Sequence, residues 1–126
     1  MINKKRIVVM GVIIVLILLS GLYVITRDGF NGNRIKNPDE YILEIYRMNG
    51  QDEHILNLES GDTLKVHFKT DGGSLKLRIT GPDNLLIYEG TGQDSNEFLI
   101  NITDNGQYRI TVDSFLGKGN IHVVKE

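Results

Sequence analysis

The chain has 126 residues, 14 of them basic and 16 acidic, with no cysteine and no tryptophan. That length allows one domain plus an appendage. Without cysteine there is no disulfide, thiolate nucleophile or Cys-based zinc site. The mild acidity, with no basic cluster after the first residues, excludes a nucleic-acid binder, which needs positive charge against phosphate.

Residues 7–26 carry no charge and are almost wholly Ile, Val, Leu, Met and Gly. These 20 residues, at about 1.5 Å rise each, match the roughly 30 Å hydrocarbon core of a bilayer. Lipid offers no partner to backbone N–H and C=O groups, so the segment is expected to be a helix. Ile7, Val8, Ile13, Leu16, Leu19 and Leu22 supply its apolar surface, and Tyr23 suits the outer interface. Lys4, Lys5 and Arg6 precede the run within a short tail, 1–6, whereas Arg27 and Asp28 cancel after it. Basic flanks stay cytoplasmic, so the rest of the chain is expected outside the cell membrane in a single-pass arrangement. A cleaved signal peptide would have a shorter apolar region, about 7–15 residues, ending in a small-x-small site. Here the run is longer and has no Ala-x-Ala, so an uncleaved anchor is expected. Leu18-Leu19-Ser20-Gly21 resembles a lipobox, but there is no Cys to carry the lipid. Setting aside the three basic residues of the tail leaves the remainder near −5. An exported domain without disulfides fits a single-membrane bacterium.

Residues 27–40 are polar and rich in Gly and Asn, and read as a flexible linker. From residue 41 to 126, short alternating apolar runs are separated by Gly, Asp and Asn. This period of two predicts strands at 41–47, 54–58, 63–70, 74–80, 85–89, 97–103, 108–113 and 120–124. Leu64, Val66 and Phe68 share one face, as do Leu75, Leu77 and Ile79, and Tyr108, Ile110 and Val112. Asp71-Gly72-Gly73, Gly81-Pro82-Asp83-Asn84 and Asp104-Asn105-Gly106 read as turns, the first as a tight hairpin. The expected fold is all-β: a small antiparallel sandwich of about eight strands, jelly-roll-like, behind one transmembrane helix.

The residues from 61 to 124 resemble two groups of small jelly-roll modules. The matching features are Leu75-x-Leu77-x-Ile79-x-Gly81-Pro82-Asp83, Leu86-Ile87-Tyr88, Phe98-x-Ile100 and Gly106-Gln107-Tyr108-x-Ile110-x-Val112. The groups are the bacterial pre-peptidase C-terminal domain and the GOLD domain of p24 cargo receptors. The resemblance implies a non-catalytic sandwich used for binding and names no ligand. The p24 proteins place the membrane helix after the domain, and the pre-peptidase module usually trails a protease; this chain departs from both.

Catalytic motifs are missing. No Ser stands in G-x-S-x-G and there is no H-E-x-x-H. His67 and His122 are expected to face solvent, with His54 in phase with Leu56 and Leu58, so the three are not expected to converge on a metal. Asp62, Asp71, Asp94, Asp104 and Asp113 suit turn geometry, with a surface calcium site as the alternative. Asn101-Ile102-Thr103 is a glycosylation sequon, relevant only to a eukaryotic secretory route. The expectation is therefore no enzyme and no cofactor, but an interaction or accessory module docking onto another membrane or envelope protein. A cell-wall or carbohydrate binder ranks second, because such sites favour aromatic platforms and there is no Trp. Tyr46, Tyr88, Phe30 and Phe115 are the aromatic candidates for contact. Phe115 with Leu116 is the strongest, being read as two apolar residues in a loop between strands.

Overall fold

The computed structural model describes residues 3–94 and 96–126. Helix α1 spans Lys4–Thr26 and is capped by Asn3, whose side chain accepts the Lys5 N–H at 3.2 Å. It begins a turn before the apolar run, so Lys4, Lys5 and Arg6 lie within it rather than in a separate tail. Basic residues in a first turn oppose the helix dipole. Helix stability therefore does not account for them; a basic stretch ahead of an apolar run is common to signal anchors and signal peptides. The described apolar side chains of α1 are exposed along its length. By length and composition it is a span able to cross a membrane, as a signal anchor or a signal peptide.

Six strands follow: β1 Gly29–Asn37, β2 Glu40–Leu58, β3 Thr63–Thr80, β4 Leu86–Gly90, β5 Asn96–Asn101 and β6 Gly106–Lys125. All pairings are antiparallel, in the order β1-β2-β6-β3-β4, with β5 also on β3. The fold is an all-β sandwich behind a single N-terminal helix.

The expected linker is a correction. Residues 29–37 form β1, paired with β2 from Gly29↔Asn49 to Asn37↔Glu40. Pro38 and Asp39 make the turn, with Asn37 Oδ1 accepting the Asp39 N–H at 3.0 Å. β1 is an edge strand with mostly exposed side chains, so it has no apolar alternation to read. Its order comes from backbone pairing with β2.

The strand count is a second correction. Six of the eight expected strands join in pairs: 41–47 with 54–58 in β2, 63–70 with 74–80 in β3, and 108–113 with 120–124 in β6. Asp71-Gly72-Gly73 is therefore a bend inside β3, since the residues on both sides of it pair with β6. Register breaks between Ile45 and Gly50 in β2 and between Thr70 and Ser74 in β3 fall at one level, where Met48 and Gly72 face Gly117 and Lys118 of β6. Along this line one sheet folds onto itself. Tyr41, Leu43, Leu64, Val66, Phe68, Ile121 and Val123 from the first half join one core with Leu56, Leu75, Leu77, Ile79, Ile110 and Val112 from the second. Glycines at a bend weaken pairing locally and permit the turn of the backbone.

The two long edges of the sandwich are closed by side chains. On one side Tyr88 of β4 packs against Phe98 of β5, ring centroids 4.7 Å apart. On the other, the buried Tyr41 hydroxyl donates to Asp52, which also holds Lys36 Nζ at 3.2 Å and Arg34 Nη2 at 3.4 Å. Burial, and then the Asp52 carboxylate, push the Tyr41 phenol far above its usual range. Unfolded tyrosine ionises near pH 10, and folded Tyr41 does not. The folded pKa is raised, so this contribution is intact below about pH 10 and is lost as pH rises past it. Urea midpoints of detergent-solubilised protein are expected to fall between about pH 9 and 11, with stability lost at about 1.4 kcal/mol per pH unit above pH 10. Tyr41→Phe should flatten that fall; an equally steep fall in the variant would place the alkaline sensitivity elsewhere.

Candidate interaction surface

The strands run between two ends. The fold line lies at one, with Gly29, Gly50, Gly72 and Phe115–Gly119 region residues. The other carries the Pro38-Asp39 turn, the residues after Leu58, and the Gly81–Leu85 turn region.

At this second end Pro82–Asn84 forms a short 3-10 turn in which Asp83 and Asn84 both have left-handed backbones, φ 59° and 57°. Asp and Asn are the side chains that tolerate this conformation best after glycine. The Gly81 N–H donates to the Leu85 carbonyl at 2.7 Å and closes the loop. Pro82 seats on Gly106, where a β carbon would stand only 2.7 Å from Pro82 Cγ. Tyr108 is buried beside Gly81, and its hydroxyl donates to the Asp104 carbonyl at 2.7 Å. A tyrosine tied back to the backbone just upstream is a recurrent corner in β-sandwiches. The sequence features Gly81-Pro82-Asp83 and Gly106-Gln107-Tyr108 are thus one packing unit.

That unit turns three successive apolar residues outward. Leu85 is 61% exposed, Leu86 51% and Ile87 37%. A cleft of about 330 Å³ is bounded by the turn that precedes them, lined by Ile55, Thr80, Asp83, Asn84, Gln107 and Arg109 among others. Ile55 is itself exposed and is the cross-strand partner of Arg109. β4 is the last strand of the sheet order and pairs with β3 alone. Sequence reasoning placed 85–89 in a half-buried strand and missed this ridge. The readable signal was Leu85-Leu86-Ile87 itself, three apolar residues in a row behind a Pro-Asp-Asn turn, which breaks alternation.

Phe115 and Leu116 are not in a loop between strands; they form an irregular step inside β6, opposite the bend in β3. Phe115 is 57% exposed. Leu116 has φ 49°, is half-buried, and donates its N–H to Asn49 Oδ1 at 2.6 Å. Ser114 Oγ donates to the Met48 carbonyl at 2.8 Å and accepts the Gly117 N–H at 3.1 Å. Phe115 is thus the more exposed of the two, and the Leu116 backbone is held by Asn49 of β2. Of the other aromatic candidates, Phe30 lies under the Arg34 guanidinium at 4.2 Å and Tyr88 is half-buried against Phe98, while Tyr46 is exposed and accepts from Asn33 Nδ2 at 3.4 Å.

His67 and His122 lie on the face opposite the buried Val66, Phe68, Ile121 and Val123, as alternation places them, and His54 is in phase with the buried Leu56 and Leu58. His67 and His122 are cross-strand partners with ring centroids 5.7 Å apart, and His122 Nε2 lies 2.6 Å from Glu44 Oε1. Alternation assigned their face but not their register, which pairs them. His54 stands apart, its Nε2 2.8 Å from the Asn37 carbonyl beside the Tyr41 ring. Among the described residues no three His, Asp or Glu side chains group as a metal site. Asp62 accepts the Glu59 N–H at 2.8 Å and Asp113 accepts from Gln51 Nε2 at 2.9 Å, so both are engaged in holding the fold.

No protein-family model matches the chain, and no curated protein matches it. Among solved structures it is similar to PliG of Aeromonas hydrophila, a periplasmic lysozyme inhibitor of g-type lysozyme, at 17% identity over 78% of this chain and 89% of that one, with a TM-score of 0.44. It is also similar to a cupin domain from Bordetella pertussis Tohama I, at 16% identity over 79% and 96% respectively, with a TM-score of 0.39. At these identities and TM-scores neither similarity bears on what this chain binds.

Proposed function

We propose that the chain is a non-catalytic, membrane-anchored accessory module, whose extracytoplasmic sandwich presents the ridge of Leu85, Leu86 and Ile87 to a partner protein of the cell envelope. The observation that carries this reading is the ridge itself: contiguous exposed aliphatic side chains directly after the turn that bounds a polar-lined cleft, on a domain whose core is otherwise closed. Exposed apolar patches with polar rims mark interaction sites on soluble domains. The open backbone edge of β4 adds strand pairing as a mode of contact. The ridge lies at the opposite end from the anchor, where a partner reaches it without meeting the bilayer. The basic start of α1, with no net basic charge directly after it, agrees with a cytoplasmic N-terminus and an outer domain.

A photo-crosslinking residue at position 86 in the full-length protein, expressed in its own cells, should yield a discrete protein adduct. Leu85→Ser with Ile87→Ser should abolish that adduct while leaving the protein in the membrane fraction with unchanged circular dichroism. Absence of any adduct from position 86, in protein shown to be folded and membrane-bound, would remove the ridge as the docking surface and move attention to a wall-polymer ligand.

A further inference from the structure

The fold line sits within a few residues of the anchor. α1 ends at Thr26 and Gly29 is already paired with Asn49, so at most about 11 Å of chain separates helix from sheet. The connection is short and also docked. Asp28 Oδ1 lies 3.1 Å from where a β carbon of Gly50 would stand, over the open face of that glycine. Asn49 in turn holds the Leu116 N–H at 2.6 Å. Phe115 is therefore one residue from Leu116, whose N–H is held by Asn49, the cross-strand partner of Gly29 at the start of β1.

We infer that the fold-line end of the sandwich rests on the outer leaflet of the membrane that α1 spans, with the Phe115 ring seated among the lipid headgroups. This rests on the anchor reading proposed above. Its occupant is lipid rather than a second protein because the tether leaves no room for anything thicker between Phe115 and the bilayer. An aromatic ring at the headgroup level is a favoured interfacial contact. The charges at this end permit it despite the acidity of the whole domain. Arg27 and the exposed Asp28 offset each other there, Lys118 is exposed, Asp71 is paired with Lys69 at 3.3 Å, and Asp113 is bonded to Gln51. Basic side chains beside an apolar contact suit an anionic leaflet. β1, nine residues long, carries the other end of the domain about 30 Å away from that surface. The strong exposure of Phe115 thus belongs to the bilayer, and the Leu85 ridge to solvent.

The chain has no tryptophan, so single reporters are clean. Full-length Leu16→Trp, Phe115→Trp and Leu85→Trp proteins would be reconstituted in vesicles of phosphatidylcholine and phosphatidylglycerol with brominated acyl chains. Expected are strong quenching at position 16, and quenching and a blue shift at 115 several-fold larger than at 85, with unchanged circular dichroism. Quenching at 16 without quenching at 115 overturns the membrane seating and leaves the anchor standing. A blue shift at 115 without lipid quenching means burial against a second copy and overturns it as well. No quenching at 16 refutes the anchor reading and the seating with it. Equal quenching at 115 and 85 shows a domain lying flat, which also overturns the proposal. If the Phe115→Trp protein fails to fold, Lys118→Trp reports the same end and is judged by the same outcomes.

Discussion

Gly73→Ala is expected to cost about 3 kcal/mol of folding stability. Gly73 has φ 60°, a left-handed backbone that costs an alanine about 1 kcal/mol. The larger part is steric. A β carbon there would stand 2.0 Å from the Leu116 carbonyl oxygen and 2.7 Å from that of Phe115. Both obstacles are backbone, so relief requires β6 to move at the point where Leu116 is tied to Asn49. Forced shifts of a packed backbone cost roughly 1–3 kcal/mol. Gly61→Ala separates the two contributions, because Gly61 has φ 96° with nothing within 4 Å of its β position. That variant should lose only the conformational part, about 1 kcal/mol. Thermal or urea midpoints of both proteins are the measurement. Equal losses would show that β6 does not resist at Gly73 and that the fold line is soft.

Asp52→Ala carries the second large effect. Asp52 is the acceptor of a buried Tyr41 hydroxyl and the counter-charge of Arg34 and Lys36. Removing it leaves the phenol without an acceptor, which costs about 1–3 kcal/mol for a buried group. Breaking a buried ion pair costs more, but Arg34 and Lys36 side chains are about a third exposed, so water offsets much of that loss. A total of about 3 kcal/mol follows, against about 1 kcal/mol for Asp52→Asn, which keeps an acceptor for Tyr41 and loses only charge. Tyr41→Phe combined with Asp52→Ala should cost less than the sum of the single changes, because the orphaned hydroxyl is gone. Additive losses in that double-mutant cycle would mean that the hydroxyl and the carboxylate are not energetically coupled.

The half-buried strands were legible because burial on one face writes a period of two. Leu64, Val66 and Phe68, then Leu75, Leu77 and Ile79, then Tyr108, Ile110 and Val112, are all buried as their alternation requires. β1 was not legible. Its side chains are mostly in water on both faces, and its Gly and Asn content mimics a spacer. Asp71-Gly72-Gly73 was misread as a hairpin because a bend and a reversal need the same residues. Which one forms depends on whether the next segment pairs with its predecessor or with β6. The exposed ridge of Leu85, Leu86 and Ile87 was hidden for a related reason. Leu86 and Leu77 have the same composition value, and only the Gly81–Leu85 closure, set by Pro82 packing on Gly106, turns one outward and leaves the other buried.

By itself the sequence determined the apolar helix, its basic flank, the strand class and the identity of the core residues, since each follows from local periodicity or from the length a bilayer demands. Only the tertiary structure decided that three pairs of short strands are three long ones, that His67 meets His122, that Asp52 closes the edge over Tyr41, and that Phe115 lies at the fold-line end, where β1 follows α1, while Leu85 lies at the opposite one. These are matters of register and of contacts between residues distant in the chain. A one-residue shift in pairing changes which distant groups meet, yet leaves every local pattern in the sequence untouched.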